Sequence, residues 1–299
     1  MLSASGAAWA GNAGSTPFDF LFLDGGARSV GIGGAYTALA NDANALLYNP
    51  AGLGMENRHE ATFMHNSYVQ GVSQDYGAVA LTQGWGLNFN YARFADTPRT
   101  TYAQPNGSLD NFGINDLAVT VGYGRTLLPN LSLGAGLKYL RESIDNQSAS
   151  GVAIDLGAMY AVPQLPNLRL GLAVQNVGPD LRYRGDAFNG PRESLPLNVR
   201  GGASYGFSYY GLDHTLALDL SKARNSDTVV GIGIESVIMK MFALRFGFNS
   251  RNSSDIGLSG GVGWKNETFN VDYAIVPYGA LGLSNRFSVS MRFGPARGK

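Results

Sequence analysis

The chain has 299 residues, 41 of them glycine, about twice ordinary usage; it has no cysteine, and its 22 Lys and Arg balance its 22 Asp and Glu. That composition excludes a nucleic-acid binder, which carries a basic surplus. It also excludes a disulfide framework, a zinc ribbon or a thiol nucleophile, and, lacking a Gly-X-Y period, collagen. With 44% hydrophobic and only 15% charged residues, the chain is too apolar for disorder. No stretch reaches the 18 or so consecutive apolar residues of a membrane helix, which leaves strands as the one way across a bilayer.

Residues 1–10 are small and apolar, and Ala8-Trp9-Ala10 fits the A-x-A pattern before a signal-peptidase cut. They are expected to be the remnant of a signal peptide. Residues 11–56 form the next unit. A short apolar patch, Phe18 to Leu23, leads into Gly25-Gly26 and the run around Gly31, Gly33 and Gly34. Ala35–Leu39 and Ala43–Leu47 suit short helices, the second capped by Asp42 and ended by Asn49-Pro50. No long amphipathic helix is present, and the unit has the character of a segment packed inside another structure. Gly31-x-Gly33-Gly34 is no phosphate loop, because no buried strand precedes it; close packing against a wall explains it better.

From residue 57 to 294 the hydrophobic period changes to two. Phe287, Val289, Met291 and Phe293 alternate with Arg286, Ser288, Ser290 and Arg292, and Phe242, Leu244, Phe246 and Phe248 with Ala243, Arg245, Gly247 and Asn249. Alternation of this kind marks strands with one apolar and one polar face. About fourteen such runs follow, near 59–67, 74–82, 86–95, 115–126, 131–142, 150–161, 167–177, 196–207, 213–222, 227–236, 241–250, 256–264, 267–275 and 285–293. Short connections alternate with longer polar ones at 95–114, 143–149, 178–195, 223–226, 250–255 and 276–284, although the connection near 206–211 is long for the short side. Residues 295–299 are a tail.

A soluble β-sandwich also alternates, but its polar face meets water and carries abundant Lys, Glu and Thr. Here that face is mostly Gly, Ala, Ser and Asn, while the other bears Leu, Val, Phe and Tyr. Small residues inside leave room in a lumen, and an apolar outside suits lipid. The fold expected is an all-β transmembrane antiparallel barrel of about fourteen strands in the bacterial outer membrane, with an N-terminal plug segment containing short helices.

The chemistry on offer is sparse. Two G-x-S-x-G matches, at 202–206 and 257–261, lie inside alternating strands and lack the strand–turn–helix that a nucleophile elbow needs. His59, His65 and His214 have no metal-ligand spacing. No enzymatic activity, metal or cofactor is expected. The inward charges include Lys138, Asp155, Arg200, Asp219 and Arg245, and hairpin registry brings Lys138 near Asp155 and Arg200 near Asp219. Charges inside a barrel are paired or hydrated. They brace wall and plug, or they line a selective polar path.

The run Gly26 to Leu53, GARSVGIGGAYTALANDANALLYNPAGL, closely resembles the N-terminal signature of the PorV/PorQ family, itself related to the FadL-type fatty-acid channels. Leu172–Gly178, and the ending from Asp272–Gly279 through Phe293-Gly294, extend the resemblance over most of the chain. It implies a fourteen-stranded outer-membrane barrel whose N-terminal segment, including Asn49, Pro50, Ala51 and Gly52, folds inward as a plug. It also implies one of two roles. PorV-like members are accessories of type IX secretion, partnered by a translocon or a secreted cargo protein. FadL-like relatives pass hydrophobic molecules, such as long-chain fatty acids, through a plugged lumen and a lateral opening. The partners expected are therefore outer-membrane lipid, secretion translocon or cargo, or a hydrophobic ligand in the lumen.

Overall fold

The computed structural model describes residues 17–106, 110–185, 188–252 and 256–296. The signal-peptide expectation for residues 1–10 lies outside them, as do residues 297–299 of the expected tail. Fourteen strands run in chain order: β1 His59–Ser67, β2 Ser73–Ala80, β3 Trp85–Arg93, β4 Ile114–Leu128, β5 Leu131–Ile144, β6 Gln147–Ala161 and β7 Leu168–Val177. The rest are β8 Asn198–Tyr209, β9 Leu212–Ala223, β10 Thr228–Ile238, β11 Phe242–Asn249, β12 Leu258–Lys265, β13 Phe269–Pro277 and β14 Leu283–Phe293. Each pairs antiparallel with its neighbour in sequence, and β14 returns to β1 in register from His59↔Phe293 to Ser67↔Asn285, closing the barrel. The sheet includes two further strands, a hairpin Leu181–Gly185 with Phe188–Glu193 inside one loop.

All fourteen runs read from the period of two are barrel strands, and the physical reason is visible in β11, where buried and exposed residues alternate without a break. Outward-facing Phe246, Leu137 and Phe63 are half-exposed or more, a face that only lipid satisfies. Among the described residues no helix is long and apolar enough to cross a membrane; the strands do so. At one rim the connections are tight, and at the other they include the long loops 94–113 and 178–197.

Three local expectations are corrected. Residues 143–149 are not a long loop: β5 and β6 run on to a two-residue turn, Asp145-Asn146, with Asp145 in the left-handed region. The connection near 206–211 is likewise only Tyr210-Gly211, because β8 continues to Tyr209. In the N-terminal segment the helices are α1 Ala27–Gly31 and α2 Ala45–Tyr48, flanked by 3-10 turns at Asp19–Phe22 and Pro50–Met55; Ala35–Leu39 is not helical. There the Asp219 carboxylate takes the N–H groups of Tyr36 (3.1 Å) and Thr37 (2.9 Å), fixing the chain to the wall instead of to a preceding turn.

The core lies inside the barrel. Residues of the N-terminal segment are buried along most of its length, with Tyr36, Tyr48, Ile32, Leu46 and Leu53 nearly or wholly inaccessible. The room left by small wall residues is thus occupied. A methyl on Gly134 would meet the main chain of Pro50 and Ala51; on Gly171, that of Thr37; on Gly233 and Gly247, that of Ile32 and Gly33. Backbone packs on backbone, which only glycine permits.

Candidate functional site

The lumen divides into three levels. In the middle, the N-terminal segment is hydrogen-bonded to the wall. Asn49 is extended and caps the turn that Pro50 starts, its Oδ1 accepting from Ala51 N at 3.1 Å, while its Nδ2 donates to Thr37 O and to Ala158 O of β6, both at 3.0 Å. Gly52 passes so close to the Ala40 carbonyl that no Cβ fits, and Gly31 lies against Gly261 and Arg245. Gly33 and Gly34 both have positive φ, which turns the chain along the β10–β11 wall. Arg200 donates to Asp219 (3.2 Å) and to Gly34 O (3.0 Å). The two therefore form one clamp on residues 34–37, and the guanidinium lies over the Tyr48 ring.

At the short-turn end Arg28 of α1 grips Glu235 of β10 with two hydrogen bonds, 3.0 and 2.9 Å. Glu235 accepts from Arg245 at 2.6 Å, and Arg245 donates to Asp272 at 2.7 Å. Alternating charges thus span β10 to β13, passing over Gly263 of β12, and reach the inner segment through Arg28, whose paired hydrogen bonds to Glu235 suit arginine. Sequence reasoning placed Arg245 on the inner face but missed Arg28 as its indirect partner. The two residues are far apart in sequence, and only the alternation of β10 and β11 hinted at the acid between them.

At the long-loop end an apolar cluster lies among buried polar groups that include Gln74, Asp116 and Arg286. Phe18, Phe20, Ala118, Leu140, Ala153 and Leu181 belong to one buried cluster. Phe18 sits in the left-handed region at φ 62, unusual for a bulky residue, and is held there by Glu142 Oε2, which accepts its N–H at 2.6 Å. The other oxygen of Glu142 takes the Tyr183 hydroxyl of loop 178–197 at 2.5 Å. One carboxylate therefore ties the N-terminal segment and the loop to β5.

The wall beside this cluster is interrupted. The β6–β7 register shifts between Ile154 and Leu156, and Asn176 bulges out of the ladder with φ 61. Asp155 takes the displaced Asn176 N–H at 2.7 Å, while Lys138 donates to Asn176 Oδ1 at 2.7 Å and lies 2.9 Å from Asp155. Lys138, Asp155 and the bulge are one unit. Beyond it, towards the long-loop rim, β6 has no further partner in β7. A single pairing, Arg184↔Ser148, links it to the loop hairpin, and Leu181 packs over Gly151. Here the loop hairpin, and not β7, closes the wall.

All twelve residues singled out from the sequence thus lie inside the barrel. Lys138 with Asp155, and Arg200 with Asp219, are brought together; Gly31, Gly33, Gly34 and Asn49 to Gly52 are pressed against the wall; Arg245 joins the charge chain. Glu142, Phe18 and the Asn176 bulge were missed. The Gln175-Asn176-Val177-Gly178 sequence, polar residues interrupting a strand before a glycine, was the available signal.

Comparison with known proteins bears on this arrangement. Over most of its length, residues 3–291, the chain matches the model of the uncharacterised protein family UPF0164. Two UPF0164 proteins of Treponema pallidum (strain Nichols) are 29% identical over 172 residues and 27% over 187, covering 51% and 55% of this chain and 42% and 54% of theirs. The chain spans about half the length of these relatives. In structure it resembles the CymD monoaromatic hydrocarbon channel, with TM-score 0.63 and 14% identity over 90% of this chain and 97% of that one. It also resembles the Pseudomonas putida toluene transporter TodX, with TM-score 0.57 and 12% identity over 89% and 96%. These likenesses establish the fold of an outer-membrane channel. The outer-membrane barrel that the resemblance implied is present, and the chain belongs to the UPF0164 family.

Proposed function

We propose that the protein is a non-enzymatic outer-membrane channel for small apolar molecules, plugged by residues 18–56. The observation that carries this reading is the coincidence of two features at one place: the interrupted β6–β7 ladder and the apolar cluster directly inside it. An apolar solute gains by moving from water into such a cluster. An opening in the wall beside it lets the solute pass sideways into lipid without crossing the polar middle of the lumen. Loop 178–197 and the Phe18 segment are the parts that must move, and Glu142 is their common tether. The fold shared with hydrocarbon channels supports the reading.

The buried Phe18 ring is itself a monocyclic aromatic, 6.4 Å from that of Phe20. Phe18→Ala leaves a void the size of such a ring, and apolar cavities of this kind stay dry and take up aromatic guests. Vesicles containing the Phe18→Ala barrel are expected to accumulate toluene several-fold faster than those containing the parent. Toluene is also expected to raise the melting temperature of the variant more than that of the parent. Toluene uptake by both barrels no faster than by empty vesicles would remove the channel reading.

The other role, a secretion accessory that receives cargo from a translocon, rests on the sequence resemblance. Loop 178–197 seats Leu181 and Leu195 in the apolar cluster at the barrel mouth, which ties it to the apolar route and favours the channel.

A further inference from the structure

The short-turn end of the lumen holds a polar cavity of about 350 Å³ that an apolar solute has no use for. Most of its charges are matched. Arg28, Glu235, Arg245 and Asp272 satisfy one another, and Arg292 donates to Glu60 at 3.2 Å. What stands unmatched falls into two kinds. Lys265, which lines the cavity, has no ion-pair or hydrogen-bond partner for its ammonium among the described residues. It sits opposite Asn270 across the β12–β13 ladder, and Arg292 Nη2 holds Asn270 Oδ1 at 3.2 Å, so two cations flank one amide. On the inner segment and the linker before β1, Asn44 Oδ1 and Glu56 Oε1 are acceptors without a hydrogen bond among the described residues. Both residues line the same cavity and are only 6% and 5% exposed.

A cation without a counter-ion and buried acceptors without donors each cost free energy that a complementary ligand recovers. A simple anion answers Lys265 and leaves the acceptors bare; a simple amine does the reverse; a hydrocarbon answers neither. We propose that this cavity is a binding site for a small zwitterion of the amino-acid class, its carboxylate at Lys265 and Arg292 and its ammonium at Asn44 and Glu56. The site is separate from the apolar route. It makes the short-turn end of the barrel a receptor for a hydrophilic solute, distinct from anything passing into the membrane.

A second consequence is measurable. Burial, with Glu60 and Asp42 nearby, holds the Glu56 carboxyl up at about 9, so it carries its proton at neutral pH. An ammonium placed beside it favours the carboxylate, and binding expels that proton to the buffer.

Isothermal titration of the purified full-length barrel in detergent at pH 7 tests this, with glycine, β-alanine and 4-aminobutyrate as probes and acetate and methylammonium as single-charge controls. At least one zwitterion is expected to bind ten-fold or more tightly than either control, with a heat that depends on the ionisation enthalpy of the buffer. Lys265→Met is expected to weaken binding ten-fold or more and Lys265→Arg to retain most of it, both variants keeping heat-modifiable migration as proof of a folded barrel. Acetate binding as tightly as the best zwitterion, no zwitterion binding at millimolar concentration, or unchanged affinity in folded Lys265→Met would each overturn the proposal.

Discussion

Gly247 faces the lumen from β11, and a methyl group there would collide with the main chain of Ile32 and Gly33, with Gly33 Cα 2.7 Å away. Neither obstacle is a side chain that can swing aside. In Gly247→Ala either the wall bends or the inner segment lifts, and overpacking of this kind costs about 1–3 kcal/mol. The wall is held by continuous ladders on both flanks of β11, whereas residues 31–34 are a turn held by a few hydrogen bonds, so the segment is the part that yields. A penalty of that size raises the undocked fraction roughly 5- to 150-fold, since each 1.4 kcal/mol is a factor of ten. Arg28, at the start of the same stretch, is a tryptic site whose guanidinium is engaged by Glu235 and becomes cleavable once the segment lifts. Limited trypsinolysis with mass spectrometry of the 28/29 bond reads the change directly. Gly201→Ala is the control, since nothing lies within 4 Å of its added Cβ. Equal cleavage at Arg28 in the parent and in folded Gly247→Ala would refute the argument that backbone contact holds the segment in place.

Two further outcomes follow from named groups. Lys138→Met leaves Asp155 buried with the Asn176 N–H as its remaining partner; removing one member of a buried ion pair costs about 3–5 kcal/mol. The melting temperature is expected to drop by several degrees, and the double variant Lys138→Met, Asp155→Asn to recover part of it; a single variant as stable as the parent would show that the pair does not brace the bulge. Glu56 makes stability pH-dependent. Burial pushes its carboxyl up to about 9 in the folded chain, against 4.5 for the ordinary carboxyl, so the folded chain binds the extra proton. The contribution is complete below about pH 4.5 and is lost as pH rises towards 9. Glu56→Gln is expected to flatten the decline in melting temperature across that range; an identical decline in the variant would assign it to other groups.

The strands were legible because lipid and lumen impose opposite demands on successive residues, so each run writes its own period. The cross-strand ion pairs were legible for a related reason: once a hairpin is registered, Lys138 and Asp155 have nowhere else to point. The inner segment was harder. Its local composition favours helix at Ala35–Leu39, but Asp219, far along the chain, decides the conformation there by capturing two N–H groups. The Asp145-Asn146 turn was hidden because polar residues at a strand end resemble a loop when the left-handed residue that makes the turn tight is not recognised. Glu142, inward-facing on β5, could be placed on a face from its spacing. That it holds Phe18 and Tyr183 together depends on two segments folding back over the barrel mouth, which no periodicity encodes.

The glycine wall also bears on the order of assembly. Contacts between the inner segment and glycines on β5, β6, β7, β10 and β11 form most readily while the wall can still give around side chains such as Tyr36 and Tyr48. Docking of the segment before β1 and β14 meet is the easier order. The sheet then wraps around the first part of the chain as around a mandrel, and the seam from His59 to Phe293, joining residues far apart in sequence, zips last. Insertion and plugging are on this view coupled steps, the filled lumen being the template on which the wall closes.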